Sequence, residues 1–268
     1  MKKQTIFAII LSLSLVASIF AHDLFLKTDS FFLQPNSKYT VKIMNGTFQA
    51  SEGAVSYARL NDVSVVSAGK TAHPQESDFT KDETTAFLNL KTGAAGTYVV
   101  GLSTKSREIA LKAADFNEYL KEDGLPDTLE ERRKTGELEK DAKERYAKHV
   151  KAILQVGKKQ TDDYKTVLGY PVELIPQQNP YKLKKGDALE ILCLRDGKPL
   201  VGQVVLAGRE EKGKIVAAPE LRSDKNGIVK LRLDGAGKWY VKFINMTKLD
   251  DPNLNYESKW TTLTFELK

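Results

Sequence analysis

Short segments of alternating polarity, separated by turn-forming residues, run through both ends of this 268-residue chain. Alternation with a period of two places apolar side chains on one face of a strand, and the closely spaced turn residues keep each strand short. Such a chain favours antiparallel strands stacked as sandwiches. The segments with this pattern are 23–27, 39–44, 63–66, 86–90 and 97–102 in the first half, and 172–175, 188–194, 203–207, 228–233, 239–244 and 261–267 in the second.

The period changes between residues 112 and 156, which indicates helices between the two sets of strands. Ala114–Lys121 has the pattern of one short helix. Thr128 and Glu131 form a candidate capping box at the start of a longer helix. Opposite charges four residues apart and an apolar stripe indicate that this helix continues to Val156. We therefore expect a helical connector whose charged face is solvated.

The expected fold class is mainly β, with two antiparallel Ig-like or prealbumin-like β-sandwiches joined by the helical connector. A turn at 223–227, a strand, and then Gly237-Lys-Trp-Tyr opening the next strand are typical of prealbumin-like modules. The expected parts are an export signal at 1–21, an N-terminal sandwich at 22–112, the connector at 113–170 and a C-terminal prealbumin-like sandwich at 171–268.

The first residues have the three-part pattern of a cleaved secretory signal. Lys2 and Lys3 precede an apolar run at 6–20, and Ala21 is a small residue suited to the cleavage position. No cysteine follows the run, so the lipoprotein route is excluded, and we expect a periplasmic or secreted chain without a membrane span. Cleavage removes two lysines and no acids, which lowers the net charge from +6 to +4. So small a charge, dispersed along the chain, does not favour nucleic-acid binding.

His22 is the sharpest candidate for chemistry. Cleavage after Ala21 would make it the first residue, so that its α-amine and imidazole could chelate one metal ion together. Nitrogen ligands suit nickel or copper, and Asp23 could add an oxygen. His73, in a polar loop with Glu76 and Asp78 close by, is the candidate for a further ligand. The alternative is that His22 simply opens the first strand and that the polar loop faces water.

The remaining candidates favour a structural interpretation. His149 has no second ligand four residues away, and we expect it in the middle of a helix, at the boundary between the apolar stripe and the charged face. Cys193 lies in an apolar run, so we expect a buried, inert thiol. The sequence contains no Gly-x-Ser-x-Gly elbow, His-Glu-x-x-His motif or phosphate-binding glycine loop, and we expect no enzymatic activity.

Ten short stretches in a specific order also carry a family resemblance, at 21–23, 116–120, 144–148, 151–157, 169–174, 179–181, 186–187, 196–200, 256–260 and 263–265. On these stretches the chain resembles a secreted bacterial family of unknown function once described as a nickel-uptake (NikM-type) substrate-specific component. The resemblance implies a periplasmic location and a link to metal-ion handling. This chain departs from it at Asn245-Met246, where the family is expected to have His-Met.

Two functions follow from these features. The first is a periplasmic binding or accessory protein that captures a nickel or copper ion and passes it to a transporter or another envelope protein. The second is a non-catalytic structural or interaction module that binds a partner protein, a peptide or a glycan. A copper oxygenase with an N-terminal histidine brace ranks last, because only two other histidines exist to complete its site.

Overall fold

Strands dominate residues 22–268, the part of the chain that this computed structural model describes. The expected export signal, residues 1–21, lies outside the described residues. The strands of the first half are β1 (Asp23–Lys27), β2 (Phe32–Leu33), β3 (Lys38–Gly46), β4 (Leu60–Ser67), β5 (Lys70–Ala72), β6 (Phe79–Lys81), β7 (Ala86–Lys91), β8 (Gly96–Thr104) and β9 (Arg107–Leu111).

Two α-helices and ten further strands follow within the described range. The helices are α1 (Ala113–Glu122) and α2 (Pro126–Lys134). The strands are β10 (Ala142–Val156), β11 (Val172–Pro176), β12 (Ala188–Arg195), β13 (Lys198–Pro199), β14 (Val204–Glu211), β15 (Lys214–Ala217), β16 (Leu221–Arg222), β17 (Ile228–Arg232), β18 (Gly237–Lys248) and β19 (Tyr256–Leu267).

One large sheet of 11 strands runs through both halves of the chain, with the strand order β15-β14-β18-β19-β10-β8-β4-β5. The short strands β2 and β9 also pair with β10, and β16 pairs with β14. The two halves join where β10 lies parallel to β19, with Glu144 opposite Tyr256 and Ala152 opposite Thr264. Two four-stranded sheets complete the fold, β1-β3-β7-β6 and β11-β12-β13 with β17 beside β12.

The two small sheets cover opposite faces of the large one. On β10, the side chains of Val150, Ala152 and Leu154 pack in a core with the sheet that contains β1. Ile153 points to the other face and packs in a second core with the sheet that contains β11. The mainly β class is confirmed, and each core is a sheet-on-sheet layer. The two cores share one sheet, however, and their division into sandwiches at 22–112 and 171–268 stays a prediction.

The prediction of a helical connector at 113–170 is wrong over much of that range. The short first helix is confirmed as α1, but α2 begins at Pro126, so Thr128 does not cap it, and it ends at Lys134. Residues 142–156 form β10. Buried and partly buried residues alternate at its start, and from Ala147 onward every residue is buried. A strand covered on both sides loses the period of two that marks a half-exposed strand. Tertiary burial therefore overrides the helical spacing of its charges.

Two smaller expectations have opposite outcomes. The segment around His73, expected as a polar loop, contains the short edge strands β5 and β6. Cys193 is fully buried, as expected, and burial raises the pKa of its thiol to about 12. No helix in the described part of the chain is long and apolar enough to span a membrane.

Candidate functional site

The start of β1 lies where the first small sheet meets the large sheet. The hydroxyl of Thr262 donates to the carbonyl oxygen of Leu24 over 2.7 Å, and that of Thr264 donates to Leu26 over 2.6 Å. Both threonines belong to β19, so β1 is attached along its length to the large sheet. The residue before β1, His22, is held close to β10 and to the loop that follows β3.

His22 lies near the surface with one carboxylate beside it. Its Nε2 atom is 3.5 Å from Oε2 of Glu52, and its side chain is 35% exposed. The ammonium of Lys148, on β10, donates to the carbonyl oxygen of His22. The backbone of His22 is therefore anchored, while its imidazole stays accessible and has a possible oxygen ligand next to it.

Asp23 is already engaged by a buried lysine. Its carboxylate pairs with Lys242 of β18, whose ammonium also bonds Oδ1 of Asp123 over 2.8 Å at the end of α1. Burial alone would lower the pKa of Lys242, but the charges of Asp23 and Asp123 outweigh it and raise that pKa. The ammonium of Lys242 therefore competes with any metal ion for the carboxylate of Asp23.

His73 has a different partner and a different surrounding. Its Nδ1 atom lies 3.2 Å from Oδ1 of Asp62 and 3.1 Å from the carbonyl oxygen of Val63, and its side chain is 61% exposed. The nearby Asp78 accepts a hydrogen bond from the backbone of Gln75 and caps a short helical turn. The trio expected around His73 does not form a group that could hold a metal ion within residues 22–268, and Asp78 is engaged by the backbone of Gln75.

The expectation that His149 lies within a helix, between an apolar stripe and a charged face, is wrong: the residue is buried on the strand β10. Its Nδ1 atom is 2.9 Å from the hydroxyl of Ser103, and its Nε2 atom is buried without a hydrogen-bond partner. Burial, followed by the charge of Lys259, lowers the pKa of His149 to about 4, so the ring is neutral near pH 7. Across residues 22–268, no three His, Cys, Asp or Glu side chains form a group that could hold a metal ion.

A small cavity beside His22 gathers positive charge that the sequence does not reveal. Its volume is about 130 Å³. We call it the cationic pocket, and its lining residues are the cations Arg59, Arg107 and Lys148, the polar residues Asn45, Ser56, Thr104 and Tyr146, and the apolar residues Leu24, Ala54 and Val55. None of these residues is acidic. The pocket can therefore attract an anion.

Strand pairing assembles this pocket from distant parts of the chain. Arg107 of β9 lies opposite Tyr146 of β10, and Arg59 immediately precedes β4. The guanidinium of Arg59 lies 5.9 Å from the centre of the Tyr146 ring. The expectation of a helix at 142–156 conceals this arrangement, since the register of β9 against β10 exists only in a sheet.

Lys148 connects the pocket to the interior. Its ammonium lies 5.3 Å from the centre of the Trp260 ring and donates to Oδ1 of Asn45 over 3.3 Å. Burial lowers the pKa of Lys148 to about 8, a shift that the charge of Asp23 opposes and that of Arg59 reinforces. The lysine is therefore largely protonated near pH 7.

A buried acid lies on the same face of β10, two positions before Tyr146. Glu144 accepts hydrogen bonds from the hydroxyls of Ser258 and Tyr119, while its Oε2 atom has no partner. Trp260 completes the cluster by donating from Nε1 to the Ser258 hydroxyl over 2.8 Å. Burial raises the pKa of Glu144 to about 7, against the effect of these hydrogen bonds.

Comparison with solved structures gives matches of low similarity. The D0-D1 domain of intimin is 13% identical, with 91% of this chain and 97% of that chain covered and a TM-score of 0.21. A Salmonella alpha-2-macroglobulin mutant is 11% identical over 91% of this chain and 15% of that chain, with a TM-score of 0.26. The tandem V-type regions of a v-region-containing chitin binding protein are 8% identical, with coverage of 90% and 99% and a TM-score of 0.19.

No curated protein matches the chain in sequence. A family model does match, over residues 19–247, and its description is a domain of unknown function, DUF4198. The match includes His22, the cationic pocket and most of the large sheet. The chain belongs to this DUF4198 family of unknown function.

Proposed function

We propose that this chain is an exported, non-catalytic binding protein and that His22 captures a nickel or copper ion for an envelope transporter or another envelope protein. The observation that carries the proposal is the accessible imidazole of His22, 3.5 Å from the carboxylate of Glu52 and anchored through its carbonyl oxygen. In this proposal, the two cores correspond to the Ig-like or prealbumin-like sandwiches that support the site.

The ligand chemistry supports the choice of metal. Cleavage after Ala21 would add an α-amine to the imidazole of His22, and Glu52 would supply an oxygen, a mixed nitrogen and oxygen set that suits copper(II) or nickel(II). Asp23 and His73 play no necessary part, because each has a partner already. A site with so few protein ligands keeps open positions, which suits a protein that transfers its ion.

Titration calorimetry with copper(II) and nickel(II) tests this proposal on the chain that begins at His22. We expect one ion per chain, and weaker binding by about tenfold for Glu52→Gln. A variant with one alanine added before His22 should lose the chelate, because its α-amine moves away. His73→Ala is the matched control and should bind as tightly as the unchanged protein. Equal affinity of the extended variant would contradict the proposal.

A second candidate function is the interaction module, and the cationic pocket favours it. Lys148 and Arg59 place positive charge close to His22, which suits an anionic group of a partner better than a free cation. The module would then recognise a partner molecule through an acidic or phosphorylated group. Loss of metal binding in the calorimetric test, with anion binding retained, would select this second function.

A further inference from the structure

We propose that the cationic pocket binds a phosphate-type oxyanion, either free phosphate or the phosphate group of a larger envelope molecule. The proposal rests on the second candidate function, which it deepens by naming the class of anion, and it does not depend on metal binding at His22. It rests on three independent features of the described residues: the balance of charge, an unpaired donor and the size of the cavity.

The first feature is the balance of charge. Arg59, Arg107 and Lys148 line one cavity, and no ion pair joins any of them to a carboxylate within residues 22–268. Neighbouring cations on β10 differ in this respect, because Lys143 and Arg145 both form ion pairs with Glu108 of β9. The charges of Asp23, Asp123 and Glu144 act on Lys148 from a longer range, while burial and then the charge of Arg107 lower the pKa of Arg59. Like charges repel, so a bound anion would relieve the repulsion between the two arginines.

The second feature is an unpaired donor. The Nη1 atom of Arg59 is buried and has no hydrogen-bond partner in the described chain. Burial, followed by the charge of Arg107, lowers the pKa of Arg59. A buried donor without an acceptor costs free energy, and such groups are rare in folded proteins. An oxyanion in the cavity would supply the missing acceptor.

The third feature is size together with donor number. The cavity of about 130 Å³ is roughly ten times the smallest cavity that holds one water, about 10–15 Å³ on the same measure, which is room for a tetrahedral oxyanion. The ammonium of Lys148 bonds His22 and Asn45, which leaves one of its three hydrogens for a ligand. Two guanidinium groups and one ammonium match a doubly charged phosphate better than a single carboxylate.

Titration calorimetry of the chain from residue 22, at pH 7.5 and low ionic strength, tests the pocket with sodium phosphate, glycerol 3-phosphate and acetate. At this pH Lys148 is still largely protonated, given its pKa of about 8, and phosphate is largely doubly charged. We expect saturable binding of at least one phosphate compound and much weaker binding of acetate. Binding of orthophosphate alone would identify the free ion, and preference for glycerol 3-phosphate would identify a phosphate group on a larger molecule.

Two pocket variants and one matched control locate the binding site. Arg107→Gln and Arg59→Gln should each weaken phosphate binding by about tenfold, the loss expected for one charge-assisted hydrogen bond. Arg133→Gln removes an exposed arginine of α2 that does not line the pocket, and it should leave the affinity within about twofold. Arg107 is exposed, so its variant gives a result even if Arg59→Gln fails to fold.

Three outcomes would overturn the proposal. The first is no saturable binding of either phosphate compound at concentrations several times higher than about 1 mM. A dissociation constant of about 1 mM is roughly the weakest that a specific site would show. The second is an equal effect of Arg107→Gln and Arg133→Gln, which would indicate attraction by net charge only. The third is acetate binding as tightly as phosphate. None of these outcomes depends on whether His22 binds a metal ion.

Discussion

At the scale of single residues, Lys148 is the side chain on which the candidate site depends. It reaches from the buried face of β10 to the carbonyl oxygen of His22, and it also lines the cationic pocket. The sequence suggests His22 through its place after the expected cleavage site. It does not suggest Lys148, because a lysine among many charged residues has no distinguishing pattern until the fold buries it.

Glu144 offers a prediction about pH and stability. Its pKa is about 7 in the folded protein and 4.5 as a free side chain. Between pH 4.5 and 7 the carboxyl group therefore takes up a proton when the protein folds. The contribution of this group to stability is therefore highest below pH 4.5 and falls as the pH rises through 4.5 to 7. The decrease is at most about 3.5 kcal/mol, because one pKa unit corresponds to about 1.4 kcal/mol.

Glu144→Gln cannot ionise, and we expect it to become more stable than the unchanged protein as the pH rises from 4.5 to 8. Urea denaturation of both proteins at several pH values measures the difference in free energy of unfolding. The comparison is needed because His149 acts in the opposite sense: its pKa of about 4 removes stability as the pH falls below 6.5. A stability difference that does not change with pH would contradict the buried, protonated Glu144.

At the scale of secondary-structure elements, β10 holds the two cores together. Its even-numbered side chains from Val150 to Val156 enter the core of the first small sheet, and Lys151 on its opposite face forms a buried ion pair with Glu173 of β11. Glu173 also accepts backbone hydrogen bonds from Leu168, Gly169 and Tyr170, at 2.9, 2.9 and 3.1 Å. The pair therefore attaches the segment before β11 to the large sheet.

Removal of one partner from this pair should be costly. We expect Lys151→Met to lower the free energy of unfolding by about 3 kcal/mol, because it leaves the Glu173 carboxylate buried without its counter-charge. The double variant Lys151→Met, Glu173→Gln should regain part of that loss. Urea denaturation at pH 7.5 measures both changes.

A matched control lies on the same strand. Lys143 pairs with Glu108 at a largely exposed position, so Lys143→Met should change the free energy of unfolding by less than about 1 kcal/mol. Equal effects of Lys151→Met and Lys143→Met would show that the buried pair contributes no more than a surface one.

At the scale of the whole molecule, the shared sheet decides whether the two halves fold separately. A fragment of residues 22–112 would lack β10 and with it four buried residues of its own core, Val150, Ala152, Leu154 and Val156. A fragment of residues 171–268 would keep β19 but lose its parallel neighbour. Each fragment would expose an apolar sheet edge that the whole chain covers.

We therefore expect neither fragment to unfold cooperatively when it is heated alone. Circular dichroism melting curves of both fragments, with residues 22–268 as the control, measure this. A longer fragment, 22–156, restores β10 to the first core and should show more native structure than 22–112. Cooperative unfolding of 22–112 at the temperature of the whole protein would instead support the independent N-terminal sandwich expected from the sequence.

The sequence by itself determined the mainly β class, the positions of most long strands, the short helix α1, the buried thiol of Cys193 and the family. These features depend on local patterns of polarity and turn residues, or on motif order. Only the tertiary structure decided that residues 142–156 form a strand, that one sheet serves both cores, and that Arg59, Arg107 and Lys148 meet. A strand buried on both faces has no period of its own, and residues more than forty positions apart come together only through the register of paired strands.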